Sequence, residues 1–131
     1  MWGNLVTAPN GTDYWTFGTS DFVENAPKYF GDSEDSFGFT VYGAYLQGMG
    51  SGTFYSRTVG EIGGYLWGSP EHTRLFREYA HMVESKLIET GVINKSLVYW
   101  FDEPDPKDYP FVSEGMEALK SAAPRLKRFL T

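Results

Sequence analysis

Cysteine is missing from this chain of 131 residues. Its absence excludes disulfide staples and thiolate-bound metal or redox centres, yet leaves the compartment open, because many exported proteins also lack it. Also missing is any window of about 18 residues free of charge and turn formers, so no segment reads as a membrane-spanning helix. The amino terminus, Met1-Trp2-Gly3-Asn4, has neither the basic stretch nor the apolar core of a secretory signal, and any export signal is expected to lie outside the chain. Basic residues are outnumbered, 11 Lys and Arg against 17 Asp and Glu for a net charge of −6, with no basic cluster. That balance argues against nucleic acid and anionic membranes as partners and points to a neutral or weakly charged one. Histidine is scarce. His72 and His81 fall nine residues apart on one expected helix, cannot share a metal, and read as surface or groove residues; nothing in the sequence asks for a metal or a cofactor.

What is present in excess is aromatic surface and glycine. Aromatic residues make up 18% of the chain, with 15 glycines, a combination that brings ring faces and bare backbone close to a ligand or packs a small core densely. An apolar fraction of 41% fits one globular domain. Residues 1–36 read as an irregular, aromatic-rich segment of that domain, with at most a short helix near Asp21 to Tyr29. Phe37 to Leu46 alternates aromatic and small residues and is expected to be a strand. The glycine run from Gly48 to Thr53 and the glycines at 60, 63, 64 and 68 keep the next stretch loop-like.

Ser69 then offers an N-cap, with Pro70 at the first helical position and Glu71 in the first turn. Leu75, Phe76, Tyr79, Ala80, Val83, Leu87 and Ile88 form the apolar stripe of the helix it starts, and Gly91 closes that helix. Ser96 to Phe101 reads as a strand. A second helix is expected from Pro110 to Ala123 on Val112, Met116, Leu119 and Ala122, and Leu126 to Thr131 as the beginning of a further strand. Strand and helix alternate, which is the signature of parallel βαβ units. A complete eightfold barrel needs about 250 residues, so the expected fold is α/β, a partial (β/α)8 TIM-type barrel. Residues 37–131 supply its βαβαβ portion, and missing barrel segments or self-association supply the rest.

The most informative residues are Tyr99-Trp100-Phe101-Asp102-Glu103-Pro104. An apolar strand ends here in two adjacent carboxylates and a proline that cannot donate to a sheet, so the acids are expected at the carboxyl end of a buried strand, where α/β folds keep their chemistry. Adjacent carboxylates repel, and one can hold a proton near neutral pH while the other stays ionised, the division of labour a glycosidase needs. A solvated acidic turn is the alternative. Successive strand residues face opposite ways, so both acids serve one pocket only if the strand twists out at its rim, as Pro104 encourages.

With Trp100-Phe101-Asp102-Glu103-Pro104 on a barrel strand, the chain resembles the catalytic domain of glycoside hydrolase family 123, the β-N-acetylgalactosaminidase-like group. Gly48-Met49-Gly50-Ser51-Gly52-Thr53-Phe54, Gly68-Ser69-Pro70-Glu71-His72 and Ala122-Ala123-Pro124-Arg125-Leu126 leading to Leu130-Thr131 extend the resemblance over roughly Phe37 to Thr131. It implies retaining, substrate-assisted hydrolysis of a β-linked N-acetylhexosamine, with N-acetylgalactosamine the favoured sugar. Asp102 would hold the acetamido group whose carbonyl oxygen attacks the anomeric carbon, and Glu103 would protonate the leaving oxygen. Two rivals remain: a non-catalytic carbohydrate-binding or structural barrel fragment, and a different α/β hydrolase in which Asp102 and Glu103 bind a metal or cap the next helix.

Other patterns carry less. Gly48 to Thr53 begins like a dinucleotide fingerprint, but Thr53 stands where the third glycine belongs and no helix opens on it. Asp32-Ser33-Glu34-Asp35-Ser36 opens like a calcium loop, yet Phe37 replaces the glycine of its sharp turn, and a solvated acidic turn is expected. Tyr42, Tyr45, Tyr65 and Trp67 flank the glycine loop and serve equally well as sugar-stacking faces or as core.

Overall fold

The computed structural model describes residues 2–31, 34, 36–44, 46–53, 57–102 and 104–129. Among them the strands and α-helices follow in order: β1 (Gly3–Thr7), β2 (Asp13–Phe17), α1 (Ser20–Phe30), β3 (Tyr42–Gly43), β4 (Ser51–Thr53), β5 (Arg57–Thr58), β6 (Glu61–Ile62), β7 (Tyr65–Leu66), α2 (Pro70–Glu89), β8 (Ser96–Tyr99), β9 (Phe101–Asp102), α3 (Tyr109–Ala122) and β10 (Lys127–Phe129). Among the described residues no helix is long and apolar enough to cross a membrane.

Helix α2 is the centre of the molecule. Ser69 Oγ accepts the His72 backbone N–H at 3.2 Å, Pro70 takes a position whose N–H is unneeded, and the chain leaves through Gly91 at φ 76°. Leu75, Phe76, Tyr79, Ala80, Val83 and Leu87 are buried on one face, each contributing on the order of 1.5–3 kcal/mol where the side chain is large. Ile88, expected in the same stripe, is 38% exposed instead, one position around from the buried Leu87. Glu84, also buried, accepts the Arg125 backbone N–H at 2.7 Å and so ties α2 to the turn that leads into β10.

Residues 1–36, expected to be irregular, contain a hairpin. β1 and β2 pair antiparallel, Gly3 opposite Phe17 and Leu5 opposite Trp15. Gly11 at φ 84° turns the chain, and Asn10 Oδ1 accepts the Thr12 N–H at 3.0 Å. The hairpin lies on α2: Trp15 Nε1 donates to the Leu75 carbonyl at 2.8 Å, and Trp15 and Tyr79 meet with ring centroids 5.0 Å apart. A second hairpin, β6–β7, turns on Gly63 and Gly64, both at positive φ.

The expected barrel is not formed. Among the described residues the strands fall into four separate small sheets, ordered β1-β2, β10-β8-β3, β5-β4-β9 and β6-β7. β8 has parallel partners on both sides, β10 with Val98 opposite Arg128 and β3 with Ser96 opposite Tyr42. The expected single strand Ser96 to Phe101 breaks at Trp100, and its last residues, as β9, pair parallel with β4 in a different sheet. The cause is a mismatch in length. Between the β3–β8 pairing and the β4–β9 pairing, one chain has residues 44–51 to accommodate and the other only 98–100. The surplus bulges inward and buries Leu46 and Met49, so no continuous barrel wall can run through this point. Phe37 to Val41 likewise stay outside any strand, with Phe37 and Phe39 exposed.

Candidate functional site

Asp102 closes β9 and stands opposite Thr53 of β4 in parallel register. Its backbone therefore leaves the sheet at a strand's carboxyl end, the position expected from Pro104. The Asp102 side chain and all of Glu103 lie outside the described residues. After them the chain runs through Pro104 and Asp105 into a 3₁₀ turn, Pro106–Asp108, where Asp105 accepts the Lys107 N–H at 3.0 Å, and then into α3.

That return path places Asp108 against β5. Arg57 Nε sits 3.2 Å from Asp108 Oδ1. The register explains why they meet: across the three-stranded sheet, Phe101, Gly52 and Arg57 occupy one line. Cross-strand neighbours share a face, and Gly52 has no side chain to separate the two that flank it. The Phe101 ring lies over Gly52, so that a Cβ built there would fall 2.0 Å from its Cε2. Phe101 meets Phe111 edge-on at 6.1 Å, Phe111 meets Trp100 at 5.4 Å, and the Arg57 guanidinium carbon lies 4.6 Å from the Phe111 centroid.

Asp108 is 2% exposed and stands at the N-terminus of α3 without capping it by a side-chain bond. Its Oδ2 is buried with no hydrogen-bond partner among the described residues. An orphan acceptor costs about 1–3 kcal/mol where neither water nor another group reaches it. Trp100, partly buried, donates from Nε1 to the Gly50 carbonyl at 3.3 Å and lays its six-membered ring against Gly115 of α3, where a Cβ would come within 2.4 Å. An apolar cavity of about 170 Å³ adjoins it, walled by Leu46, Met49, Val98 and Trp100.

The other candidates separate from this rim. His72 is not a surface residue: it is 1% exposed, donates from Nε2 to the Gly48 carbonyl at 2.8 Å, and stacks on Phe76. Burial holds its pKa below the usual histidine value, partly offset by the Gly48 bond. His81, nine residues on, is exposed. Tyr42 packs among Trp2, Phe22 and Phe30, and burial pushes its hydroxyl pKa up. Trp67 packs on His72 and Phe76 and donates from Nε1 to Glu114 at 2.9 Å. Tyr45, and Asp32, Ser33 and Asp35 of the acidic turn, lie outside the described residues. Arg57, Asp108 and Phe111 carried no sequence signal strong enough to single them out; the one available hint was an aspartate directly before a helix, which reads as an ordinary cap. No protein family, curated protein or solved structure matches the chain.

Proposed function

We propose that Asp102 and Glu103 form the acid pair of a glycoside hydrolase acting on β-linked N-acetylhexosamine, with N-acetylgalactosamine the favoured sugar. The observation that supports this most is the position of Asp102 at the carboxyl end of β9, the strand whose Phe101 meets Phe111 and, through Phe111, Trp100 and the Arg57–Asp108 pair. Sugar sites are built of these components, because a pyranose ring has apolar faces and a hydroxylated edge.

In the proposed reaction the substrate supplies the nucleophile. Asp102 accepts the acetamido N–H, and the acetamido carbonyl oxygen forms a bond to the anomeric carbon as the glycosidic bond breaks. Glu103 gives its proton to the departing oxygen. Water then attacks the anomeric carbon with Glu103 as base, the bond from that carbon to the acetamido oxygen breaks, and the acetamido group is restored, which reprotonates Glu103 and leaves the configuration retained. Adjacent acids do not suit the ordinary retaining scheme, whose two carboxyls stand about 5–5.5 Å apart across the scissile bond. A nucleophile from the substrate removes that requirement.

Hydrolysis of alkyl and nitrophenyl N-acetyl-β-galactosaminides by the chain tests the proposal. Glu103→Gln is expected to suppress alkyl glycoside hydrolysis by about 10²-fold or more while sparing the nitrophenyl substrate, whose departure needs little protonation. Efficient cleavage of the corresponding 2-hydroxy galactoside would rule out substrate assistance, since the internal nucleophile is then missing. Saccharide binding without turnover of either glycoside would favour a carbohydrate-binding role.

A further inference from the structure

Arg57 is the part of the rim that the acid pair does not use. A long cationic side chain on a two-residue edge strand ordinarily samples many rotamers. Here its Nε is 3.2 Å from Asp108 Oδ1, its guanidinium carbon is 4.6 Å from the Phe111 centroid, and its backbone is fixed opposite Gly52. The anchor is itself immobile, since the Asp108 side chain is 3% exposed. The terminal amino groups of Arg57 make no hydrogen bond among the described residues, and the side chain stays 43% exposed. A planar fork with its Nε and one face committed leaves a fixed pair of donors.

Charge decides what those donors receive. A free guanidinium prefers carboxylate or phosphate. This one is already neutralised by Asp108, in a chain of net charge −6, so an arriving oxyanion gains little and meets the Asp108 charge. Neutral oxygens meet no such repulsion. The Phe111 ring beside the fork, itself packed against Trp100, supplies the apolar face that a polyol with one hydrophobic side requires.

We infer that Arg57 is a saccharide-binding residue whose terminal amino groups take two neighbouring neutral oxygens of the sugar, and that Asp108 is the positioning residue that fixes the fork and sets its preference for an uncharged ligand. The identity of that sugar as a hexosamine rests on the glycosidase proposal above.

The test is saturation-transfer NMR on the full chain with methyl N-acetyl-β-D-galactosaminide, with sodium sulfate as competitor at constant ionic strength and nitrophenyl glycoside hydrolysis followed in parallel. Arg57→Met keeps the aliphatic stem on Phe111 and is expected to weaken saccharide binding about tenfold or more, the scale of one lost charge-assisted hydrogen bond. Arg57→Lys, which restores one donor, should recover part of it. In hydrolysis the Met variant should raise KM with kcat nearly unchanged, a split that a merely structural defect would not produce. Asp108→Asn removes the neutralising charge without changing shape, and sulfate should then displace the saccharide, as it should not in the wild type. Unchanged saccharide affinity in Arg57→Met, displacement by sulfate in the wild type, or no saccharide binding by the wild type would each overturn the inference. Arg57-dependent binding with no hydrolysis would leave the inference standing and sink the glycosidase proposal. Hydrolysis with an unchanged KM in Arg57→Met would do the reverse.

Discussion

Replacing Gly52 by alanine tests the architecture of the rim at its narrowest point. The added methyl would lie 2.0 Å from Phe101 Cε2 and 2.2 Å from Cζ, well inside contact distance, and Phe101 is fully buried. Either the ring stays and the strand pair is forced apart, a strain of about 1–3 kcal/mol, or the ring leaves and forfeits about 1.5–3 kcal/mol of burial. Against this, alanine restricts the unfolded chain and contributes about 0.4–1 kcal/mol of stability. The net expectation is a loss of about 2 kcal/mol, or a Tm lower by roughly 6–8 °C for a chain of this size. Thermal unfolding followed by circular dichroism reads the change directly. Gly43→Ala is the internal control, because nothing lies within 4 Å of a Cβ built there and neither glycine has a left-handed φ; it should be neutral or slightly stabilising. Phe101→Leu removes the clashing ring atoms, so in the double variant the two substitutions should be coupled by at least about 1 kcal/mol. An unchanged or raised Tm for Gly52→Ala would show that Phe101 does not lie over Gly52, and the alignment that brings Arg57 to Phe111 would lose its basis.

Two further outcomes concern α2. His72 is held neutral by burial, its folded pKa below the ordinary value of 6.5, so the unfolded chain takes up the proton first. The associated stability is complete above about pH 6.5 and is lost as pH falls toward the folded pKa; Tm should fall between pH 7.5 and 5.5 in the wild type and fall less in His72→Gln, and equal slopes would refute the assignment. Ser69→Ala removes the bond to the His72 N–H and should cost about 1 kcal/mol, seen as a midpoint shift in urea with an unchanged slope; no shift would mean that water replaces the cap at no cost.

The helices were legible because their signals are local. Ser69-Pro70-Glu71 at one end, Gly91 at the other and a stripe of apolar residues between them define α2 without reference to the rest of the chain. The first hairpin was legible in principle. Asn10-Gly11 is a strong turn signal, but Val6, Tyr14 and Phe17 are large, apolar and exposed, and they blur the alternation that marks a half-buried strand. The barrel expectation failed for a non-local reason. Nothing within Ser96 to Phe101 reveals that the chain opposite carries extra residues between its two pairings, and it is this surplus that splits the run into β8 and β9.

The end of β9 was legible because Pro104 forces it, whereas the rim beside it was not, and Asp108 shows why. In sequence, an aspartate followed by Tyr109-Pro110 is a helix cap, and any rule based on neighbouring residues assigns it there. In the fold its carboxylate makes no cap bond, turns instead to Arg57 on an edge strand two sheet positions from Phe101, and leaves one oxygen buried without a partner among the described residues. A residue chosen for helix stability would have kept the cap. The diversion sacrifices a local bond for a long-range one, and what the long-range bond achieves is a guanidinium that is held and neutralised against the Phe111 ring. The recognition of an uncharged, hydroxylated ligand proposed above would give that exchange a reason.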